Sequence, residues 1–460
     1  MIATNSSPSP AAGIPLEILC ADSGDGGFFA GKEWIWAPEP FRLPATLAAE
    51  LDWMGRLLPK FATACDLLYR QSAEGRQPAW IAHLLDLGKP AELVALGRSK
   101  AFRGQTARVI RPDLVITAEG FAICELDQIP GGIGLTAWLN ETYDRGGFEV
   151  LGGGEGMLQG FSSILSGGRI LVSEEAATYR PEMEWLSARL NVRSMASGSG
   201  ERWSVSDCVI PDTVEGGGGM ELSGNFYRFF ELFDLANVPC AEGLFRSVMA
   251  GEATVTPPPK AQLEEKLWMA LLWMHPLREF WIRQLGESGF RALKQWIPRT
   301  WVLDPGPLPP AAVHPGLEIQ DWKELAAFSQ RERELIVKVS GFDERAWGAR
   351  GVALGSDLSR EEWGSVIGDA LREFSEHPRI LQVYRRPILS EQTFYKPDGA
   401  KETMSGRVRI SPYFFVADDG RAMLGGALAT VCPADKKILH GMRDAVMVPV
   451  IADRQNSGDR

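Results

Sequence analysis

The sequence predicts an α+β protein, and three observations predict it. Residues 43–70, LPATLAAELDWMGRLLPKFATACDLLYR, repeat apolar side chains at Leu47, Leu51, Met54, Leu58, Phe61, Cys65 and Leu68. That is the spacing of a helix with one buried stripe. Residues 108–127 alternate in character on both sides of a glycine-bearing turn, as a β-hairpin does. GGRILVSEE (167–175) is a strand followed by a helix through MEWLSARLN, so an α/β layer is expected between about 150 and 240.

The other elements follow in chain order. MIATNSSPSPAAGIP lacks a basic segment and an apolar run, and reads as a disordered leader rather than a signal peptide. EATVTPPPKAQLEEKLWMALLWM (252–274) gives a short strand, a proline turn and a helix. LDPGPLPPAAVHPG (303–316), with five prolines, is the most linker-like stretch. Beyond it LIVKVSGF is a strand, 360–376 a helix, ILQVYRR a strand, and GRVRISPYFFVA and AMLGGALATV two more. The polar last ten residues are expected to fray.

Composition removes several functions. At 460 residues the chain exceeds one ordinary core, so two or three structural units are expected. A formal charge of −11 offers no basic field to nucleic acid or to an anionic membrane. No run of about 18 apolar residues exists to span a bilayer. Cys20, Cys65, Cys124, Cys208, Cys240 and Cys432 are scattered without a CxxC pair. Neither zinc nor a disulfide framework is expected, and a reducing cytoplasm fits.

The stretch with most chemistry is RPDLVITAEGFAICELD (111–127). One face of this hairpin carries Arg111, Asp113, Glu125 and Asp127. With Ala118, Glu119 and Gly120 as a three-residue turn, Asp113 faces Glu125 and Arg111 faces Asp127; a bulge would shift this by one residue. Opposed Cβ atoms lie about 4.5–5.5 Å apart. Carboxylates held that close repel, and a cation must hold them. Arg111 can neutralise one, and a hard divalent ion such as Mg²⁺ the rest. The competing reading is a solvated polar face with a surface salt bridge.

Other segments suit phosphate. Lys338 ends the apolar strand ELIVK, and a loop punctuated by Gly341, Gly348 and Gly351 follows. Such a loop can fold over a triphosphate and donate backbone N–H groups. A lysine at the end of a buried strand needs an anion. No Walker A sequence occurs. Lys266, in LEEKLWMALLW, taken alone is an ordinary helix lysine. Gln382, Val383 and Tyr384 end a strand whose backbone could read an adenine edge. Arg407 and Arg409 alternate in GRVRI, share a strand face, and could bind a substrate carboxylate.

Together these pieces resemble the ATP-grasp family, specifically the synthetase half of glutathionylspermidine synthase. The resemblance rests on R-x-D-x11-E-x-D, here Arg111, Asp113, Glu125 and Asp127, where the family ends the motif in E-x-N. PPPKAQLEEKLWMALLW, LIVKVSGFDERAWGARGV, ILQVYRRP and YRFFELF resemble the family's lysine helix, glycine loop, adenine hinge and a preceding tract. Asp127 stands in place of the family's asparagine, and Glu265 in place of the asparagine before its lysine. The carboxylates precede the phosphate lysine, which is the circularly permuted order.

The resemblance covers about 105–450 and implies a circularly permuted ATP-grasp α+β fold with an α/β pre-ATP-grasp-like domain and a helical N-terminal region. It implies a leader and helical region at 1–104, the carboxylate hairpin of the core at 105–150, the α/β domain at 151–250, the nucleotide region at 251–450 and a tail at 451–460. It further implies ATP-dependent ligation of a small-molecule carboxylate to an amine (an amino acid, peptide or polyamine) through an acyl phosphate. In that scheme Asp113, Glu125 and Asp127 hold Mg²⁺. Lys266, Lys338 and the three loop glycines hold the phosphates of ATP, and residues 382–384 the adenine. Arg111 steadies the acyl phosphate, and Arg443 is matched to a second family arginine. The alternative is a non-catalytic protein of this fold that binds a nucleotide or peptide. Mg²⁺-dependent ADP release separates the two.

Overall fold

The computed structural model describes residues 13–21, 33–207, 222–310, 312–346, 350–437, 439 and 444–453. The helices are α1 (Leu16–Cys20), α2 (Ala45–Ala73), α3 (Ala79–Asp86), α4 (Ala91–Arg98), α5 (Ile133–Arg145), α6 (Gly156–Ile164) and α7 (Arg180–Ser197). They continue with α8 (Ala241–Ala250), α9 (Leu267–Trp273), α10 (Arg278–Trp296) and α11 (Arg360–Arg372).

The strands form three sheets. The largest holds β1 (Phe41–Leu43), β2 (Val109–Thr117), β3 (Gly120–Asp127), β12 (Leu389–Tyr395), β13 (Lys401–Val416), β14 (Ala422–Pro433) and β15 (Val446–Ala452). Its order is β1-β15-β14-β13-β2-β3, with β12 on the first half of β13. Its pairs are antiparallel except β1 with β15. A parallel sheet of β4 (Gly168–Val172), β5 (Trp203–Asp207), β6 (Gly224–Phe229) and β7 (Ala253–Thr256) runs β5-β4-β6-β7. This is the α/β layer that the strand–helix alternation predicts. An antiparallel sheet of β8 (Thr300–Val302), β9 (Leu335–Val339), β10 (Val352–Leu354) and β11 (Arg379–Val383) runs β10-β9-β11-β8.

The proline-rich stretch departs from expectation. It joins β8 to β9, which both pair with β11. It is pinned by Trp301 Nε1 donating to Pro315 O (3.1 Å) and Trp322 Nε1 donating to Asp304 O (2.9 Å). The segment is a loop of one sheet, not a linker. Prolines signal a break in regular structure, and a break occurs within units as well as between them.

Helices cover both faces of the large sheet. Successive strand residues point to opposite faces, and Phe414 and Phe415 divide accordingly. A Cβ on Gly55 of α2 would lie 2.9 Å from the Phe414 ring, and one on Gly160 of α6 would lie 2.1 Å from the Phe415 ring. The stripe of α2 buries Leu51, Met54, Leu58, Phe61, Cys65 and Leu68 as its period predicts. At Gly55 the helix lies close against the sheet. Replacing a helix-interior glycine by alanine gains about 0.5–1 kcal/mol from propensity alone. Here the added methyl meets a Phe414 ring that is 1% exposed. Gly55→Ala is therefore expected to destabilise by about 1–3 kcal/mol, as overpacking does, and a urea midpoint at or above wild type would contradict this close approach.

Cys65, Cys124 and Cys432 are free, while Cys240 takes part in a disulfide that the scattered spacing concealed. Among the described residues no helix is long and apolar enough to cross a membrane.

Candidate functional site

The hairpin of β2 and β3 builds one wall. Arg111 pairs with Asp127 and Asp113 with Glu125, as the sequence predicts. The turn differs. Thr117 pairs with Gly120, so the loop holds two residues, Ala118 and Glu119, with Gly120 at φ 110°. The register then shifts by one at Cys124, which stands unpaired as a bulge between Ile123 and Glu125. A shorter turn and one bulge together give the register that a longer turn would give. The bulge also frees the Cys124 carbonyl, which accepts a 2.7 Å hydrogen bond from Lys338 Nζ.

Each carboxylate of this face meets a cation. Arg111 donates through Nε to Asp113 Oδ1 (3.0 Å) and through Nη1 to the Gly131 carbonyl (2.9 Å), and its Nη2 lies 3.0 Å from Asp127 Oδ2. Ser411 on β13 donates to Asp113 Oδ1 at 2.8 Å, and Arg409 Nη1 is 3.4 Å from Asp113 Oδ2. Lys266, just before α9, pairs with Glu125 at 2.8 Å and donates to the Ala346 carbonyl at 3.3 Å. Lys266 is 8% exposed. It is a buried partner of the hairpin and not the exposed lysine that its local sequence suggests.

Protonation follows from these contacts. Burial alone would raise the Asp113 carboxyl, but Arg111, Arg409 and the Ser411 hydroxyl hold it below the ordinary range. Burial raises Asp127 despite Arg111 beside it. Burial would lower Lys266, yet Glu125 brings it above the usual lysine range. Lys338 has no such carboxylate in contact, and burial lowers it.

Gln382 is 2% exposed and serves its neighbours. Its Oε1 accepts from Lys338 Nζ (2.9 Å) and its Nε2 donates to Thr300 Oγ1 (2.9 Å). The N–H groups of Val383 and Tyr384 are already committed, to the carbonyls of Arg299 (2.9 Å) and Glu334 (3.0 Å). An edge-on contact from this run to a ligand has to come from other backbone groups.

The loop after Lys338 is anchored by Glu265. Its carboxylate accepts from Ser340 Oγ and from Gly341 N (3.0 Å) and pairs with Lys89, both side chains of that pair being 1% exposed. A Cβ on Gly341 would lie 1.9 Å from Glu264 O, so glycine is needed for this approach. Gly351 N donates to Arg345 O at 2.7 Å, closing the loop's far end. Gly348 and Arg443 lie outside the described residues.

These groups converge. A cavity of about 480 Å³ lies between the large sheet and the antiparallel sheet, a size ordinary for small-molecule sites. Arg111, Asp113, Glu125, Asp127, Lys266, Lys338, Gly351 and residues 382–384 all line it, and Gly341 does not. Arg409 lines it; Arg407, whose Nη1 donates to Lys436 O (3.0 Å), does not. Sequence reasoning missed Ser411, Tyr413 and Glu182. Tyr413 donates to Gly131 O at 2.8 Å, and Glu182 accepts from Gly132 N (2.7 Å) and Leu135 N (3.1 Å), capping the start of α5. Ser411 and Tyr413 continue the alternation of Arg407 and Arg409, which is the signal that would have found them.

The oxygen donors of the hairpin suit a hard cation in chemistry. Among the described residues, however, no group of three His, Cys, Asp or Glu side chains is placed to hold a metal ion. One or two carboxylates with phosphate oxygens, the usual manner of Mg²⁺, fit this face; a site made of three protein carboxylates is not assembled.

The architecture is mixed α/β, consistent with an ATP-grasp-like α+β fold. Neither a family model nor a curated protein matches the chain. Among solved structures it is similar to the apo form of a glutathione synthetase-like effector from Globodera pallida. The TM-score is 0.50 at 12% identity, over 91% of this chain and 90% of the other. A putative γ-glutamylcysteine synthetase from Methylobacillus flagellatus aligns with a TM-score of 0.39 at 12% identity, over 81% and 87%. At such identity the first likeness concerns the fold alone, and the second carries no weight.

Proposed function

We propose that the cavity binds ATP and that the protein is an ATP-dependent carboxylate–amine ligase of a circularly permuted ATP-grasp type. One observation carries the reading. Three carboxylates, two lysines and an arginine from three distant segments line one cavity between two sheets, with a glycine-flanked loop at its edge. A surface polar hairpin would not need buried lysines brought to it from elsewhere in the chain.

In this reading a carboxylate oxygen of the acid attacks the γ-phosphorus of ATP, and ADP leaves. The amine nitrogen then attacks the acyl carbon, phosphate leaves with the shared oxygen, and the amine loses a proton. Phosphoryl transfer is mostly positioning and charge neutralisation. Lys266 and Lys338 meet phosphate oxygens, and Lys266 exchanges Glu125 for them. Arg111 sits where charge grows on the transferred group. Mg²⁺ arriving with ATP would be held by one or two carboxylates among Asp113, Glu125 and Asp127 together with phosphate oxygens, and would supply charge neutralisation there. The 382–384 segment borders the adenine. A small acid and amine are the partners, and a cytoplasmic setting goes with ATP use.

The test is Mg²⁺-dependent ADP release from the full chain in mixtures of amino acids, peptides and polyamines. Release that needs both an acid and an amine supports ligation. ATP binding without release in any mixture favours the non-catalytic alternative, to which the fully paired carboxylates lend some support. The loop from Ser340 to Gly351 gives a further expected result. Its described residues are held at both ends, by the bond from Lys266 to Ala346, and by contacts of Asp343 with His377 (2.6 Å), Arg345 with Glu373 (3.5 Å) and Arg350 with Glu175 (3.6 Å), and a nucleotide under the loop should slow amide exchange beyond what these contacts give the free protein. Equal exchange in both states would contradict a loop that closes on the phosphates.

A further inference from the structure

The cations lining the cavity are not equally occupied. Arg111 serves Asp113, Asp127 and a carbonyl; Lys266 serves Glu125; Lys338 serves a carbonyl and Gln382. At the rim, Arg345 pairs with Asp343 and Arg350 with Glu175. Arg409 is different. Its contact is one ion pair at 3.4 Å to an oxygen of Asp113 that Arg111 also approaches, and its buried Nε has no acceptor. Directly across the strand pair, Thr430 is fully buried with its hydroxyl also unbonded. Arg409 lines the cavity whereas Thr430 does not, and a buried guanidinium nitrogen left without an acceptor beside a cavity is costly unless something completes it.

We propose that Arg409 anchors the carboxylate of the acid substrate, and that this acid carries hydrocarbon next to that carboxylate. This deepens the ligase reading and rests on it. Strand pairing places Val115, Arg409, Thr430 and Met447 in one row across β2, β13, β14 and β15, pointing to one face. Asp113 and Ser411 lie in the next row with Leu428. A carboxylate on the Arg409 guanidinium is thus beside Asp113 and Arg111, where the transferred phosphoryl group is expected. The body of the same molecule lies over Leu428 and Met447 toward Trp34 and Leu135, which line the same cavity. Arginine suits this role because its planar fork takes a carboxylate by two bonds. Asp113, so close to Arg409, disfavours a second negative charge at this end of the substrate. An N-acylated apolar amino acid, or a peptide with an apolar C-terminal residue, has the required chemistry.

The full chain is titrated by NMR with N-acetyl-L-leucine and with N-acetyl-L-leucinamide, which differ in the carboxylate. The acid is expected to bind about tenfold or more tightly than the amide, the scale of a charge-assisted pair. Arg409→Gln should remove that difference, Arg409→Lys should restore part of it, and Arg407→Gln should leave it intact. Thermal unfolding of each variant checks that it is folded. AMP-PNP is titrated in parallel. If N-acetyl-L-leucine fails to bind, binds no better than the amide, or keeps its affinity in folded Arg409→Gln, the anchor is overturned, and AMP-PNP binding then shows the ligase reading standing without it. If the acid binds through Arg409 while AMP-PNP binds no form of the protein, the ligase reading fails and Arg409 remains a carboxylate site.

Discussion

Arg111→Met is expected to destabilise the protein by about 3–5 kcal/mol near neutral pH, the usual loss when one member of a buried charged group is removed. Arg111 holds two carboxylates at once, Asp113 and Asp127, and binds Gly131 O besides. Asp113 keeps Arg409 and Ser411 when the guanidinium is gone. Asp127 keeps the Ile129 N–H (2.9 Å) and loses its cation. Its carboxyl is already raised by burial with Arg111 in place; without Arg111 it rises further. A carboxyl whose folded value lies above its unfolded value carries a penalty that is absent below the unfolded value and grows as pH rises through the window between the two. The gap between variant and wild type should therefore narrow from pH 7.5 to pH 5. Arg111→Lys should fall between them, since an ammonium cannot bridge both carboxylates in the plane of a fork. Urea midpoints at the two pH values measure this, and a variant within about 1 kcal/mol of wild type at pH 7.5 would contradict the buried bridge.

Glu125→Gln is expected to lower ATP-dependent turnover by about 10²–10³ while stability changes by less than about 1 kcal/mol. The side chain is 39% exposed, so its ion pair with Lys266 contributes little to folding. Glutamine keeps the shape and removes one anion opposite Asp113. That deletes an oxygen suited to Mg²⁺ and leaves Lys266 without its partner carboxylate. Nucleotide should still bind through Lys338 and the 382–384 edge, so the loss belongs to turnover more than to affinity. Raising Mg²⁺ should restore part of it by mass action. Turnover equal to wild type at ordinary Mg²⁺ would return the hairpin to a merely polar surface.

What could be read from the sequence was whatever a local period carries. The stripe of α2 is fixed by spacing within one helix. The opposition of Arg111 to Asp127 and Asp113 to Glu125 came through although the turn is shorter than read, because the bulge at Cys124 restores the count. What required chain-distant pairing was hidden. Nothing local distinguishes Lys266 from a solvated lysine; its burial depends on Glu125 and on Ala346. Glu265 read as a departure from a resembled pattern, and its use, tying Lys89 to the start of the loop, is visible only once three segments meet. Arg407 and Arg409 look alike in GRVRI, yet only the latter lines the cavity, since the Arg407 guanidinium is turned to the Lys436 carbonyl. The strand β15 carries no local signal, although VMVPVIA is apolar throughout, because a short apolar run without alternation has no period to assign.

If Lys338, the carboxylate hairpin and the loop between β9 and β10 hold ATP in the cavity between the two sheets, nucleotide uptake must depend on the Lys338 ammonium. Calorimetric titration of the full chain and of Lys338→Met with AMP-PNP and Mg²⁺ tests it most directly. Methionine keeps the length of the lysine and deletes the charge that faces the cavity. One nucleotide per wild-type chain is expected, and an affinity at least tenfold weaker in a folded Lys338→Met protein, the size of one charge-assisted hydrogen bond to phosphate. Wild-type protein that takes up no nucleotide, or a variant that binds it as tightly as wild type, would contradict the claim.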